Sequence, residues 1–125
     1  MKTCLVVDDS DIIRKVAGAL FSSQLLTVSE AEGAEPALDL CKRQMPDLIL
    51  LDWHMPGMTA LEFIAALRAL PAGEYPFVLY CTTENDSIDI TRAITVGAND
   101  YLLKPFNREM IEKKLAEIEA LGLRH

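Results

Sequence analysis

Asp8, Asp9, Asp52 and Lys104 each close a short apolar run. Cys4-Leu5-Val6-Val7 leads into Asp8-Asp9, Leu48-Ile49-Leu50-Leu51 into Asp52, and Tyr101-Leu102-Leu103 into Lys104-Pro105-Phe106. An unbroken apolar run of this length reads as a strand buried on both faces, which implies a parallel sheet covered by helices. In such sheets the carboxyl ends of the strands share one edge, and ligands bind there. The four residues should therefore converge. Carboxylates crowded within ~4–6 Å repel, and at least one pKa should rise unless a cation enters. Oxygen ligands suit a hard divalent cation such as Mg²⁺, which takes one or two carboxylates and keeps water or phosphate oxygens as well. Asp9 and Asp52 would ligate directly, Asp8 through water or by orientation, and a backbone carbonyl just after Asp52 is placed to add a ligand. Asp52 has a second possible role, since a carboxylate can attack phosphorus and form an acyl phosphate. Such transfer needs in-line positioning and charge neutralisation. Mg²⁺ would hold one phosphoryl oxygen, the Lys104 ammonium another, and the Thr82 hydroxyl, at the end of a fourth strand, a third. A cis Lys104-Pro105 bond would turn Lys104 inward.

The elements that must position these groups alternate five times. Strands are expected at about 3–8, 26–30, 47–52, 77–81 and 100–103. The first helix starts at the N-cap Ser10 and runs to about 23, with Ile13, Val16, Ala17 and Leu20 on one stripe. The second carries Ala34, Ala37, Leu38 and Cys41 and cannot pass Pro46. After the Pro56-Gly57 loop a third spans about 59–70. The fourth, near 86–96, carries Ile90, Ala93 and Ile94 and stops at Gly97. The fifth, about 107–121, starts at Asn107, shows Ile111, Leu115, Ile118 and Leu121, and ends at Gly122. Five βα units with right-handed crossovers give a three-layer α/β sandwich. Several doubly wound strand orders fit this alternation.

At 125 residues the chain is expected to be one domain, 1–125. Half its residues are hydrophobic, and 19 acidic against 12 basic residues give a net charge of −7, which disfavours non-specific nucleic-acid binding. Cys4, Cys41 and Cys81 form no CxxC pair and no zinc spacing, and read as reduced, buried small hydrophobes of a reducing cytosol, with a redox role for Cys81 as the rival. The N-terminus lacks a signal-peptide pattern, and no stretch approaches the ~18 apolar residues of a membrane span.

The chain resembles the response-regulator receiver domains of bacterial two-component signalling, of the stand-alone, chemotaxis-regulator-like kind. The likeness rests on Val7-Asp8-Asp9-Ser10, Leu51-Asp52-Trp53-His54-Met55-Pro56-Gly57-Met58, Thr82-Thr83, Gly97-Ala98-Asn99-Asp100-Tyr101 and Lys104-Pro105-Phe106, in that order along the whole chain. It implies a flavodoxin-like five-stranded parallel sheet of order 2-1-3-4-5 with five helices, and no output domain. It implies that Asp52 is the phosphoacceptor, charged by a histidine kinase, a histidine phosphotransfer protein or a small phosphodonor. Asp8 and Asp9 would bind Mg²⁺, with the His54 carbonyl completing the set. Thr82 and Tyr101 would form a switch pair that remodels the face of the fourth helix, fifth strand and fifth helix for a partner protein. A cytoplasmic location follows, with a monomer or a phosphorylation-dependent dimer, and no enzymatic activity beyond the chain's own phosphorylation and dephosphorylation.

The chain departs from the family pattern at several points. His54 and Glu84 flank the path of an attacking water and would tune phosphoryl lifetime. Thr83 replaces a small residue and would restrict access to Asp52. Thr59-Ala60 stands where Asp-Gly is usual. Taken one at a time, these residues have plainer roles: Asp9 as a helix cap, Thr82 as a structural hydroxyl, Tyr101 as a half-buried strand aromatic, His54 as a solvated loop residue, Trp53 as loop packing. The terminal Leu123-Arg124-His125 reads as a disordered tail. The alternative function is a Mg²⁺-dependent phosphatase or phosphotransferase with an aspartyl nucleophile, which usually wants a second acid where His54 stands. A flavodoxin-like cofactor binder would need a Gly-rich phosphate loop where Asp8-Asp9-Ser10-Asp11 stands.

Overall fold

The computed structural model describes residues 1–83 and 87–121. Its elements run β1 (Thr3–Val7), α1 (Asp11–Ser22), β2 (Thr27–Ala31), α2 (Ala34–Arg43), β3 (Leu48–Asp52), α3 (Ala60–Arg68), β4 (Phe77–Thr82), α4 (Ser87–Val96), β5 (Asp100–Leu103) and α5 (Arg108–Ala120). The five strands are all parallel and lie in the order β2-β1-β3-β4-β5. This is the doubly wound arrangement that the resemblance implied. Glu84, Gly122 and the Leu123–His125 tail lie outside the described residues.

Strand alternation sorts the core into two layers. Leu5, Val7, Ile49, Leu51, Val78 and Tyr80 pack against α2, α3 and α4. Cys4, Val6, Leu48, Leu50, Leu79, Cys81 and Leu102 pack against α1 and α5. Both faces of the central strands are thus covered, which is why β1, β3 and β4 read as continuous apolar runs. The three cysteines are free and buried, as expected of small hydrophobes. Burial pushes the Cys41 thiol up to about 11 and the Cys81 thiol up to about 12, so neither is a ready thiolate.

Three helix residues depart from the expected stripes. Val16, Ile94 and Leu121 are exposed. On α1 the buried pair is Ala17 and Phe21, an i,i+4 couple, and Val16 falls one step round the helix from it. On α4 the buried pair is Ile90 and Ala93, and Ile94 turns outward beside it. Leu121 is the C-cap of α5, past the last turn that meets the sheet at Ile118.

The caps explain where helices start. Ser10 and Asn107 accept from the backbone N–H groups of Ile13 and Met110. Thr59 and Glu62 form a reciprocal capping box at the start of α3, with Glu62 N to Thr59 Oγ1 at 3.1 Å and Thr59 N to Glu62 Oε1 at 2.9 Å. This gives Thr59 a structural role, signalled by the spacing of Thr59 and Glu62. At the opposite end of α3, Arg68 donates to the carbonyls of Gly73, Pro76 and Gly97 and to Asn99 Oδ1. Gly97 ends α4 with φ at 130°, and a Cβ there would come within 3.0 Å of the Arg68 side chain. The positive φ favours glycine, and any side chain there would also push Arg68 aside.

Candidate phosphoacceptor and metal site

Register brings the distant residues together. Val7 pairs with Leu51, Asp52 with Cys81, and Thr82 with Leu103. The pairing extends past the strands through Trp53 N to the Cys81 carbonyl (2.8 Å) and Lys104 N to the Thr82 carbonyl (2.7 Å). Asp8, Asp52 and Lys104 continue the strand phase that faces α1 and α5, whereas Thr82 continues the phase that faces α4. The Lys104–Pro105 peptide is cis, as expected.

Lys104 Nζ donates to Asp8 Oδ2 and to Asp52 Oδ1, each at 2.8 Å. Both carboxylates are buried and Lys104 is nearly so, with 14% of its side chain exposed. Asp9 is exposed, yet one carboxylate oxygen from each of Asp8, Asp9 and Asp52 lies within 4.8 Å of the others. The predicted convergence of all four residues is met. Asp8 is held from four sides: its N–H donates to the Ala31 carbonyl, its Oδ1 accepts from Ser10 N, its Oδ2 from Lys104, and its carbonyl from Arg14 Nη1 at 2.7 Å.

Charge inside the cluster is unbalanced, with three carboxylates against one ammonium. Burial raises the Asp52 pKa; Lys104 opposes the rise, and the charges of Asp8 and Asp9 add to it, so the net direction is upward. Burial would lower the Lys104 pKa, but its hydrogen bonds and attraction to Asp52 and Asp8 outweigh this, and the ammonium is held above its ordinary value. The two directions agree: the ammonium gains two acidic partners, whereas Asp52 shares its one cation and faces two like charges. An oxygen-only donor set carrying excess negative charge in a partly buried crevice fits a hard divalent cation.

The remaining expected residues ring the cluster. Thr82 is buried at the end of β4. Thr83 is exposed and lines an apolar groove of about 470 Å³ with Ile13, Val16, Lys104, Pro105 and Phe106, against one edge of the site. Trp53 and His54 are both exposed, their rings tilted at 43° with centroids 5.1 Å apart. The Trp53 ring thus meets His54 at the surface rather than packing under the loop. Tyr101 is 36% exposed on β5, in register with the buried Tyr80. Glu84 lies outside the described residues. Sequence reasoning missed Arg14, whose i,i+3 spacing from Asp11 on a helix was the available signal.

Comparison with known proteins decides the family. The response regulator receiver domain matches residues 4–116. The chain belongs to the response-regulator receiver family. A chemotaxis protein CheY homolog of Campylobacter jejuni is 32% identical over 120 residues, covering 94% of this chain and 92% of that protein. The chemotaxis protein CheY of Pseudomonas aeruginosa is 31% identical over 115 residues, covering 91% and 93%. Among solved structures, the chemotaxis response regulator CheY4 of Vibrio cholerae superposes with a TM-score of 0.89 at 32% identity, covering 94% of this receiver and 98% of that chain. These comparisons favour a phosphorelay signalling domain over the phosphatase alternative. No helix among the described residues is long and apolar enough to cross a membrane.

Proposed function

We propose that this receiver accepts a phosphoryl group on Asp52 from the phosphohistidine of a histidine kinase or histidine phosphotransfer protein, and signals through protein–protein contact. The observation that carries the reading is the shared Lys104 ammonium, 2.8 Å from both Asp8 and Asp52, with the Asp9 carboxylate completing the cluster. In the reaction an Asp52 carboxylate oxygen forms a bond to phosphorus as the P–N bond breaks. The imidazole leaves with the bonding pair and takes a proton. Lys104, already beside Asp52, neutralises charge on the transferring oxygens, and the Thr82 hydroxyl donates to another. Asp8, Asp9, Asp52 and the His54 carbonyl would hold Mg²⁺, which when bound supplies charge neutralisation at the phosphoryl oxygens. No group in the cluster needs to act as a general base.

The Thr82 and Tyr101 positions support a switch toward the face of α4, β5 and α5, where the output partner would bind. His54, Thr83 and Glu84 would set access and lifetime. We place the protein in the cytoplasm, as a monomer or a phosphorylation-dependent dimer, with no catalysis beyond its own phosphorylation and dephosphorylation. The test uses Trp53 emission during Mg²⁺ titration followed by beryllofluoride, in wild type and Asp52→Ala, with mass spectrometry after acetyl phosphate. Wild type should show a saturable Mg²⁺ response, a further beryllofluoride response and a mass gain of one phosphoryl group (~80 Da), the last two absent from Asp52→Ala. Absence of the adduct from wild type refutes the proposal.

A further inference from the structure

Arg14 is 12% exposed and touches three elements at once. Its Nη1 donates to the Asp8 carbonyl at the end of β1 (2.7 Å), its Nε to Glu30 on β2 (3.2 Å), and its Nη2 to Asp11 at the start of α1. The Asp8 carbonyl belongs to the peptide that carries Asp9. Asp8 has three further anchors, but the exposed Asp9 carboxylate pairs with no described residue and is aimed by its backbone alone. We infer that Arg14 is the positioning residue of the metal site: by pinning the Asp8–Asp9 peptide to β2 and α1, it fixes the Asp9 carboxylate against Asp8 and Asp52 for Mg²⁺. The inference rests on the reading of these acids as Mg²⁺ ligands.

Charge and geometry make opposite predictions here, which makes the inference testable. A guanidinium acting only as a nearby positive charge repels Mg²⁺, so its neutralisation would tighten binding. A guanidinium acting as a clamp does the reverse. Its planar fork serves three acceptors, whereas a lysine ammonium is a point charge on a flexible stem and cannot replace it. Residues that orient metal ligands from behind typically change metal affinity by ~10–100-fold when removed.

The experiment is calorimetric titration of Mg²⁺ into wild type, Arg14→Gln, Arg14→Lys and Glu30→Asp, with melting temperatures measured alongside. Arg14→Gln and Arg14→Lys should both bind Mg²⁺ about tenfold more weakly than wild type. Glu30→Asp, which keeps the charge but shortens the reach to Arg14 Nε, should weaken binding in the same direction by a smaller factor. Arg14→Gln binding as tightly as wild type or tighter, or Arg14→Lys matching wild type, overturns the inference. Where the Arg14 variants do not fold, unchanged affinity in Glu30→Asp overturns it. Wild type that takes up no Mg²⁺ refutes the underlying reading of the site, a result distinct from normal wild-type binding with unaffected variants.

Discussion

Asp52→Asn should stabilise the metal-free protein. Asp52 lies within 4.8 Å of the Asp8 and Asp9 carboxylates and 2.8 Å from the Lys104 ammonium. At an effective dielectric of about 20, each carboxylate repels it by at least ~3.5 kcal/mol and Lys104 attracts it by ~6 kcal/mol. The charge terms leave a deficit of ~1 kcal/mol, and burial of the ionised group adds to it. Asparagine keeps the shape and still accepts from Lys104, so the gain should be about 1–2 kcal/mol, or roughly 4–8 °C in melting temperature for a domain of this size. The sign follows from the raised pKa. Between the ordinary carboxyl value of 3.8 and the raised native value, the folded state binds more protons than the unfolded. Wild-type stability therefore falls as pH rises through that window, and the penalty is absent below it. Differential scanning fluorimetry in chelator should show the Asn variant melting higher at pH 7 and the gap closing on acidification. Saturating Mg²⁺ should reverse the order, because wild type gains about 2.7 kcal/mol at a hundredfold excess over Kd while the variant has lost one carboxylate. An Asn variant that melts below wild type without metal at pH 7, or a gap that persists at low pH, refutes the reasoning.

Thr83→Ala should speed phosphorylation by acetyl phosphate about threefold, roughly 0.6 kcal/mol off the barrier, by opening the groove beside Lys104; equal rates by phosphate-sensitive gel or mass spectrometry refute it. Lys104→Met should abolish phosphorylation and cost about 3–5 kcal/mol at pH 7, because two buried carboxylates lose their shared cation; urea denaturation showing a cost below ~1 kcal/mol refutes the pairing. In wild type the Lys104 contribution is fully present below its ordinary value of 10.5 and is lost as pH rises through its higher native value, so it should appear as an alkaline limb missing from the variant. Thr82→Ala should still be phosphorylated, with the rate reduced by roughly tenfold, ~1.4 kcal/mol for one lost hydrogen bond. Its Tyr101 should no longer respond, and a fluorotyrosine resonance that shifts as in wild type refutes the coupling.

The sheet and its acidic edge were legible because they follow from two strong signals. Central parallel strands are covered on both sides, so β1 and β3 appear as unbroken apolar runs leading into Asp8 and Asp52; the third run, leading into Lys104, was expected to be buried on both faces but is the edge strand β5, where only Leu102 is buried. The order of strands was not legible from spacing, since every doubly wound order has the same alternation; the family resemblance supplied it. Helix faces were read less well. Val16 and Ile94 fit a 3.6-residue stripe, but a helix lying on a sheet buries a narrow line of contact, and residues one step from that line stay in water, while Leu121 lies past the last turn that meets the sheet. Thr59 was legible but unread: Thr59 with Glu62 three residues on, ahead of an apolar run, has capping-box spacing, and the pair serves the backbone of α3 rather than the site. Arg14 was opaque: of its three acceptors, Glu30 meets it only through the β1–β2 pairing, and the Asp8 carbonyl only through the turn from β1 into α1.

The strand phase of the site residues bears on how a local charge change could reach a distant face. Asp8, Asp52 and Lys104 continue the phase facing α1 and α5, while Thr82 and Tyr80 share the phase facing α4. A hydroxyl that is to serve a phosphoryl group on Asp52 must therefore come across the end of β4, away from the α4 side. Space vacated there lies toward β5, where Thr82 is in register with Leu103 and Tyr80 with Tyr101. The same side of β4 is tied to α4 by the Tyr80 hydroxyl, which donates to Asp89 at 2.7 Å. α4 itself buries only Ile90 and Ala93 against the core, and six of its ten residues are β-branched, which lowers helix propensity. Two side chains of α4 are buried in the core, against four on α3, which also carries a capping box. On the proposed function, the strand phase of Thr82 and the lighter burial of α4 would direct a response to phosphorylation toward α4 and β5.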